Sequence, residues 1–232
     1  MKWWKYLCVL LLLFVSMGGL LLPVPRLNIL NETIRNVYFH VPVWFGMIAL
    51  MVVSGWYAVK YLRSGRMDDD LHSVEFANTG LVLGLLGYVT GAIWGNYAWG
   101  DPMPKDPKIL SAAAGMLLYL AYWVLRGSFR DDQQRARISA IYNVFALATF
   151  IPLVFVLPRL TDSLHPGNGG NPAFGQYDMD NRMRLVFYPA CAGMILLGYW
   201  ISTLRIRLRQ VMLAVEERQD EQLTVGNKQR GA

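Results

Sequence analysis

Long apolar runs, separated by short clusters of charged residues, constrain this chain more than any other feature of its sequence. Of the 232 residues, 54% are hydrophobic and only 16% are charged, whereas charged residues make up about a quarter of a soluble domain. A helix of roughly 20 apolar residues crosses a bilayer core of about 30 Å. A soluble core of this size would show polar residues at helical period, and these runs do not. The sequence therefore predicts an all-α fold, a polytopic membrane helix bundle.

Six runs are long enough to cross the bilayer, so we predict six transmembrane helices. The predicted spans cover about residues 3–22, from just after Pro42 to residue 62, 73–93, 109–125, 138–157 and 185–204. Pro152 is expected to kink the fifth span. The first run follows two lysines, as in a signal peptide, but residues 23–26 do not form a small-residue cleavage site. We therefore expect a retained first helix.

The distribution of Lys and Arg predicts the orientation of the spans. The side with the N-terminus, the second and fourth connections and the tail carries 15 of these residues, and the other side carries 7. Because basic residues favour the cytoplasmic side, both termini are predicted to be cytoplasmic. We divide the chain into a transmembrane domain at 1–210 and a cytoplasmic tail at 211–232, which from about residue 215 is expected to be a frayed helix end or disordered. The acidic segments 67–70 and 131–132 are expected to be solvated turns.

Several other functions lack support in the sequence. The net charge of +6 is spread over several short loops, whereas a nucleic-acid surface needs one basic stripe. Cys8 and Cys191 lie in separate apolar runs without a CxxC pair, which argues against a thiol-redox or zinc site. The sequence has no P-loop pattern, so any use of ATP has to come from a partner. The predicted spans hold almost no charged residues, which argues against a transporter or pore.

Two of the three histidines are candidate ligands. His40 and His165 lie on the predicted outer side, each near a helix end and closely followed by proline, whereas His72 lies on the cytoplasmic side. Two imidazoles on one side of a membrane can bind a metal ion or serve as the two axial ligands of a haem, and bis-histidine ligation leaves no open coordination position. For each histidine taken alone, the alternative interpretation is a polar loop residue.

An aromatic segment at about residues 90–108 lies between these two histidines in the sequence. Gly95 and Gly100 let the backbone approach a large ligand closely. Three side chains offer flat apolar faces on which a porphyrin can stack, namely Trp94, Tyr97 and Trp99. Three cations can pair with porphyrin propionates, namely Lys105, Lys108 and Arg159. The alternative is an ordinary aromatic belt at the membrane interface, which does not explain a glycine after each tryptophan.

These motifs resemble the CcmC (haem exporter protein C) family, a branch of the CcmC/CcmF/CcsA haem-handling membrane proteins. The most specific block is Arg35-Asn36-Val37-Tyr38-Phe39-His40-Val41-Pro42, followed by Trp44. The tryptophan-rich WWD domain of this family is matched by Thr90-Gly91, Trp94-Gly95, Trp99-Gly100 and Asp106-Pro107-Lys108. A third block runs from Leu157-Pro158-Arg159 to Ser163-Leu164-His165-Pro166. The resemblance covers about residues 30–205, but residues 101–105 replace further tryptophans and make the aromatic platform smaller.

The resemblance implies a role in cytochrome c biogenesis of the system I type. It implies haem b at the periplasmic face of the bacterial inner membrane, with His40 and His165 as axial ligands. The other site residues that it implies are Trp94, Trp99, Tyr97, Gly95, Gly100, Asp106 and Arg159. The haem would pass to the haem chaperone CcmE, and the other expected partners are the ABC transporter CcmA/CcmB and the small protein CcmD. This is haem delivery and transport, not catalysis by this chain, although a lyase-like role through a partner stays open.

A bis-histidine cytochrome b subunit, which transfers electrons, is the rival hypothesis. Such a protein conducts across the bilayer, so its histidines should lie within spans and near the middle of the membrane. His40 and His165 are predicted at the ends of spans and on one side, which favours haem delivery. Reduction of the haem by quinol would distinguish the two functions.

Overall fold

A computed structural model of the protein describes residues 2–26, 30–165 and 179–230. Its six α-helices are α1 (Trp3–Leu21), α2 (Val37–Ser64), α3 (Met67–Trp99), α4 (Pro107–Gly127), α5 (Asp132–Ile151) and α6 (Asn181–Arg230). A 3₁₀ turn precedes α2, and a π-helical turn at Pro152–Val156 follows α5. All six helices are long and apolar enough to cross a membrane, and the described part of the chain contains no strand. The predicted all-α membrane bundle with six spans is confirmed.

Several helices are longer than the sequence predicted. Helix α2 begins at Val37, so Pro42 lies inside it, where it removes one backbone hydrogen bond. Helix α3 begins at Met67 and ends at Trp99, and the acidic residues of its first turn favour the helix N-terminus. The predicted turn at 67–70 is therefore wrong. Helix α6 continues as one helix to Arg230, beyond the predicted end of its span.

The glycines of α3 let α2 pack directly against its backbone. Four glycines of α3, at alternating spacings of four and three residues, each face a large side chain of α2. The pairs, in order, are Gly80 with Met51, Gly84 with Met47, Gly87 with Trp44 and Gly91 with His40. A Cβ atom at Gly87 would lie 2.8 Å from Trp44 Nε1, so no larger residue fits there without movement. Small residues at such spacing allow close approach of membrane helices, and this glycine ladder fixes the register of α2 on α3.

Helix α2 is central, since it packs against α3, α5 and α6, whereas α1 lies on the outside against α6. Gly193 of α6 receives Leu11 and Leu12 of α1. Trp4 packs edge to face on Tyr199, so the first turn of α1 lies at the end of the bundle that α6 reaches near Tyr199. That this end faces the cytoplasm remains a prediction from the Lys and Arg count.

Three acidic side chains of α3 are buried at that end, and each forms an ion pair with a lysine or arginine. Asp69, with 1% of its side chain exposed, lies 2.8 Å from Lys60 Nζ and 3.0 Å from Arg66 Nε. Arg126 of α4 donates two hydrogen bonds, of 2.9 and 2.6 Å, to the two carboxylate oxygens of Asp70. The third pair joins Glu75 to Arg205 of α6 at 2.7 Å. These ion pairs connect α2, α4 and α6 to α3. For Asp69 and Asp70 the sequence had predicted a solvated turn.

We predict that Asp70→Ala destabilises the protein by about 3–5 kcal/mol, because it leaves the buried guanidinium of Arg126 without its bidentate partner. The matched control is Asp132→Ala, which removes a carboxylate that is 68% exposed and pairs with Arg135. An exposed pair contributes little, so the control should barely change stability. Thermal unfolding of the purified protein in detergent measures both, and equal shifts would show that burial of the pair is unimportant.

Candidate functional site

His40 lies in the first turns of α2, and a threonine of α3 holds its ring. Its Nδ1 lies 3.1 Å from Oγ1 of Thr90. The Thr90 hydroxyl donates to the carbonyl of Leu86 at 2.8 Å. A hydroxyl has only one proton to donate, so its oxygen accepts from His40 Nδ1–H. This arrangement favours the tautomer in which Nε2 carries the lone pair.

The last pair of the glycine ladder places the His40 ring against the backbone of α3. A Cβ atom at Gly91 would lie 2.7 Å from Cε1 of His40. The carbonyl of Gly87 is a further polar neighbour of the same ring. Because the ring is half-buried and enclosed by backbone on one side, its position is set by the helix packing and not by a loop.

His165 lies after α5, in a loop that one carboxylate anchors. Asp106 accepts hydrogen bonds from the Leu164 N–H at 2.6 Å and from the Ser163 hydroxyl at 3.1 Å. The same carboxylate caps the start of α4, where it accepts from the Lys108 N–H at 2.9 Å. Asp106 thereby ties the loop that carries His165 to the first turn of α4.

The imidazole of His165 lies against this carboxylate. Its Nδ1 is 3.4 Å from Asp106 Oδ1, an ion-pair distance without the alignment of a hydrogen bond, and the atom is buried without a hydrogen-bond partner among the described residues. Burial disfavours a charge on Asp106, but its hydrogen bonds from Leu164 and Ser163 hold the pKa of its carboxyl below the usual range. Burial lowers the pKa of His165, opposed by Asp106 and assisted by Lys108. An ionised carboxylate thus stands beside a neutral imidazole, the form that binds a metal.

Two of the predicted tryptophans complete a contiguous aromatic group at the end of α3. The rings of Trp94 and Trp99 meet edge to face with centroids 5.4 Å apart. Trp99 in turn contacts the His165 ring, with centroids 4.9 Å apart and planes at 64°. Trp94 is further fixed because its Nε1 donates to the Thr33 carbonyl at 3.1 Å. Tyr97 is 67% exposed and forms no ring contact within the described part of the chain.

The remaining predicted site residues have different surroundings in the structure. Gly100 follows the last residue of α3 with a left-handed φ of 74°, and a Cβ atom there would meet nothing within 4 Å, so this glycine is required by the turn and not by close packing. A Cβ at Gly95 would meet the Asp101 carbonyl at 3.4 Å, an ordinary contact distance. The side chain of Arg159 and the whole of Pro166 lie outside the described residues.

Together these contacts bring both histidines to one end of the bundle. His40 and His165 are close enough to interact electrostatically. No group of three or more His, Cys, Asp or Glu residues that could hold a bare metal ion occurs among the described residues. Two imidazoles are the donors that an iron porphyrin would require, because its iron needs only axial ligands from the protein. The donor set therefore fits a haem.

Sequence reasoning missed the part that Thr90 plays, although it noted the Thr90-Gly91 pair. The available signal was the glycine spacing in α3, which matches the spacing of the large residues in α2 up to His40. This match of spacings predicts a contact only if α2 and α3 pack against each other, which the sequence does not show. The anchoring of the 163–165 loop by Asp106 had no signal in the sequence.

Comparisons with known proteins identify similar chains. The family model described as heme exporter protein C matches residues 1–224. The heme exporter protein C of Paracoccus denitrificans is 28% identical over 188 residues, which are 77% of this chain and 73% of that protein. The one of Rhodobacter capsulatus is 25% identical over 60% of this chain and 57% of its own length. A cytochrome c biogenesis protein CcsA of Prochlorococcus marinus is 49% identical over 68 residues, 29% of this chain and 22% of that protein.

We predict that Asp106→Ala frees the 163–165 loop, since the mutation removes three hydrogen bonds at once. Chymotrypsin, which cleaves after large apolar residues, should then cut faster at the exposed Leu160 and Leu164. Asp101→Ala is the matched control, because within the described ranges the exposed Asp101 carboxylate accepts only from the nearby Met103 N–H. Mass spectrometry of the fragments measures the rates. Equal cleavage of the two variants would mean that Asp106 does not anchor the loop.

Proposed function

We propose, since this chain belongs to the haem exporter protein C family, that it binds haem b and delivers it to the next carrier in cytochrome c maturation. Its relatives support a role in cytochrome c maturation, and its six apolar helices make it a multi-pass membrane protein. The site would lie at the periplasmic face of the bacterial inner membrane, in keeping with the Lys and Arg distribution.

The observation that carries this proposal is the matched pair of imidazoles. In each, Nδ1 faces a partner on another element, Thr90 for His40 and Asp106 for His165. A second partner of this kind normally fixes the orientation of a metal-ligating histidine and raises its basicity. Each Nε2 is then the nitrogen that would ligate the iron, and the two histidines would serve as the axial ligands.

The side chains around the imidazoles suit the rest of a porphyrin. Trp94 and Trp99 provide apolar ring faces beside His165, and the exposed Tyr97 lies one helical turn from Trp94. The Lys108 ammonium donates to the His165 carbonyl at 3.3 Å, which places a cation next to the proposed ligand. We propose that Lys108, together with Arg159, pairs with the propionates.

The two proposed ligands differ in how they are held, and this difference suits a protein that must release its cargo. His40 belongs to a helix and lies in the glycine ladder, whereas His165 belongs to a loop anchored through Asp106. We propose that the His165 loop moves when haem leaves, while His40 keeps its place. The haem supplies the iron and the ring, and this chain supplies orientation, two neutral imidazoles and an apolar surface.

The proposed partners follow from the family. The receiving protein would be the haem chaperone CcmE, with the ABC transporter CcmA/CcmB and the small protein CcmD in the same assembly. The name heme exporter of the relatives fits an ABC-type export system. Since this sequence has no P-loop pattern, ATP hydrolysis would belong to the transporter.

We predict that His40→Ala and His165→Ala each lose most of the bound haem, because one remaining imidazole leaves the iron with a single protein ligand. His72→Ala is the matched control, since His72 stacks on Tyr57 at the other end of the bundle. A pyridine haemochrome assay of the purified proteins gives the haem-to-protein ratio. Full haem content in both site variants would refute the ligand assignment.

We predict that Trp99→Ala weakens haem binding by up to about tenfold while the protein still inserts, because one stacking partner is worth about 0.5–1.5 kcal/mol. Trp56→Ala is a suitable control, since Trp56 is 68% exposed on α2 and lies more than four helical turns from His40. Haem titration of the stripped proteins measures the affinities. If both substitutions weaken haem binding equally, Trp99 stabilises the protein in general and does not contact the haem.

A further inference from the structure

A cleft lies at the end of the bundle opposite the histidines. Its volume is about 770 Å³, within the range of sites for small ligands. Residues of α3 from Met67 to Asn78 line it, and about 22 Å of helix separates Glu75 from Thr90. Helix α3 packs against both α4 and α6, which make little contact with each other. The cleft is therefore a gap between α4 and α6 with α3 as its floor.

Four arginines line this cleft, and their charge is only partly neutralised. They are Arg126, Arg135, Arg205 and Arg209. Three of them pair with the three carboxylates of the cleft, Asp70, Asp132 and Glu75. Arg209 is exposed and forms no ion pair within the described part of the chain, so the cleft keeps one net positive charge.

Two of these guanidinium groups are placed to share an anion. Arg205 uses Nε to bind Glu75, and no bond of its two Nη atoms is found among the described residues. Arg205 and Arg209 are four residues apart on α6, so their side chains lie on the same face of the helix. A phosphate can accept from both without breaking the Arg205–Glu75 pair, and Arg fits phosphate oxygens by its planar fork.

The rest of the cleft is apolar and borders the lipid-facing surface. Trp123, Leu208 and Met212 line it, and each is more than 40% exposed. Beside it on α4, Val124 is 73% exposed. Trp123 and Val124 precede Arg126 on α4, a helix long and apolar enough to span the membrane, so they lie nearer the middle of the span than the arginines do. Leu208 and Met212 lie at or beyond the level of Arg205 on α6.

We propose that this cleft binds an anionic phospholipid, with its phosphate between Arg205 and Arg209 and an acyl chain along Trp123. Basic pockets between transmembrane helices bind such headgroups. The net positive charge favours an anionic lipid over a zwitterionic one of the same chain length. A lipid here fills the gap between α4 and α6 and joins α6 to the charged end of α3.

The test is native mass spectrometry of the full chain with phosphatidylglycerol or phosphatidylcholine of identical acyl chains. We expect phosphatidylglycerol to bind about tenfold more tightly, and Arg209→Gln to lower its affinity by about tenfold. Arg207→Gln is the matched control, because Arg207 is exposed on the same helix and does not line the cleft. It should leave the affinity unchanged. Arg209 is preferred to Arg205 because its loss leaves no buried carboxylate unpaired.

Three results would overturn the proposal. Equal binding of the two lipids would remove the requirement for a negative headgroup. Equal effects of Arg209→Gln and Arg207→Gln would indicate general attraction to a basic surface. Displacement of phosphatidylglycerol by glycerol phosphate at similar concentration would show that the cleft binds a phosphate group and that the acyl chain adds nothing to the affinity. The haem content of Arg209→Gln should equal that of the unmodified protein, so the outcome is independent of the histidine site.

Discussion

The packing of α2 on α3 through the glycine ladder is the contact on which the rest of the structure depends. Because α3 presents backbone at four positions, the large side chains of α2 lie directly against it, and the last of these side chains is His40. The same register brings Thr90 to the His40 ring. In a membrane, where apolar side chains gain little from leaving lipid, such close backbone contact is a main source of helix association. The position of the proposed ligand is thus a consequence of helix packing.

The two ends of the bundle use polar groups in different ways. At one end Asp69, Asp70 and Glu75 of α3 form ion pairs to α2, α4 and α6, which hold the helices in place. At the other end, the Thr90 hydroxyl accepts a hydrogen bond from His40, and the Asp106 carboxylate lies 3.4 Å from Nδ1 of His165, so that both imidazoles are oriented. The buried ion pairs and the proposed haem site are therefore separated along the length of α3.

The sequence predicted the spans well because membrane insertion depends on hydrophobicity summed over about 20 residues. It predicted helix ends poorly: Asp69 and Asp70 looked like a solvated turn, but they are helical and buried, paired with Lys60 and Arg126, whose positions in space the sequence does not show. The histidines, Trp94 and Trp99 were predicted from residue type and family resemblance, and the structure brings them to one end. The parts of Thr90 and Asp106 could not be predicted, since each acts on a residue more than 45 positions away in the chain.

Electron paramagnetic resonance of the haem-loaded ferric protein tests most directly whether both imidazoles bind one iron. Ligation by His40 and His165 predicts a low-spin signal of the bis-imidazole type. The same measurement on His165→Ala with residual haem should show a changed axial ligand set. A high-spin signal or one sulfur ligand in the unmodified protein, or an unaltered bis-imidazole signal after the loss of His165, would contradict the proposed site.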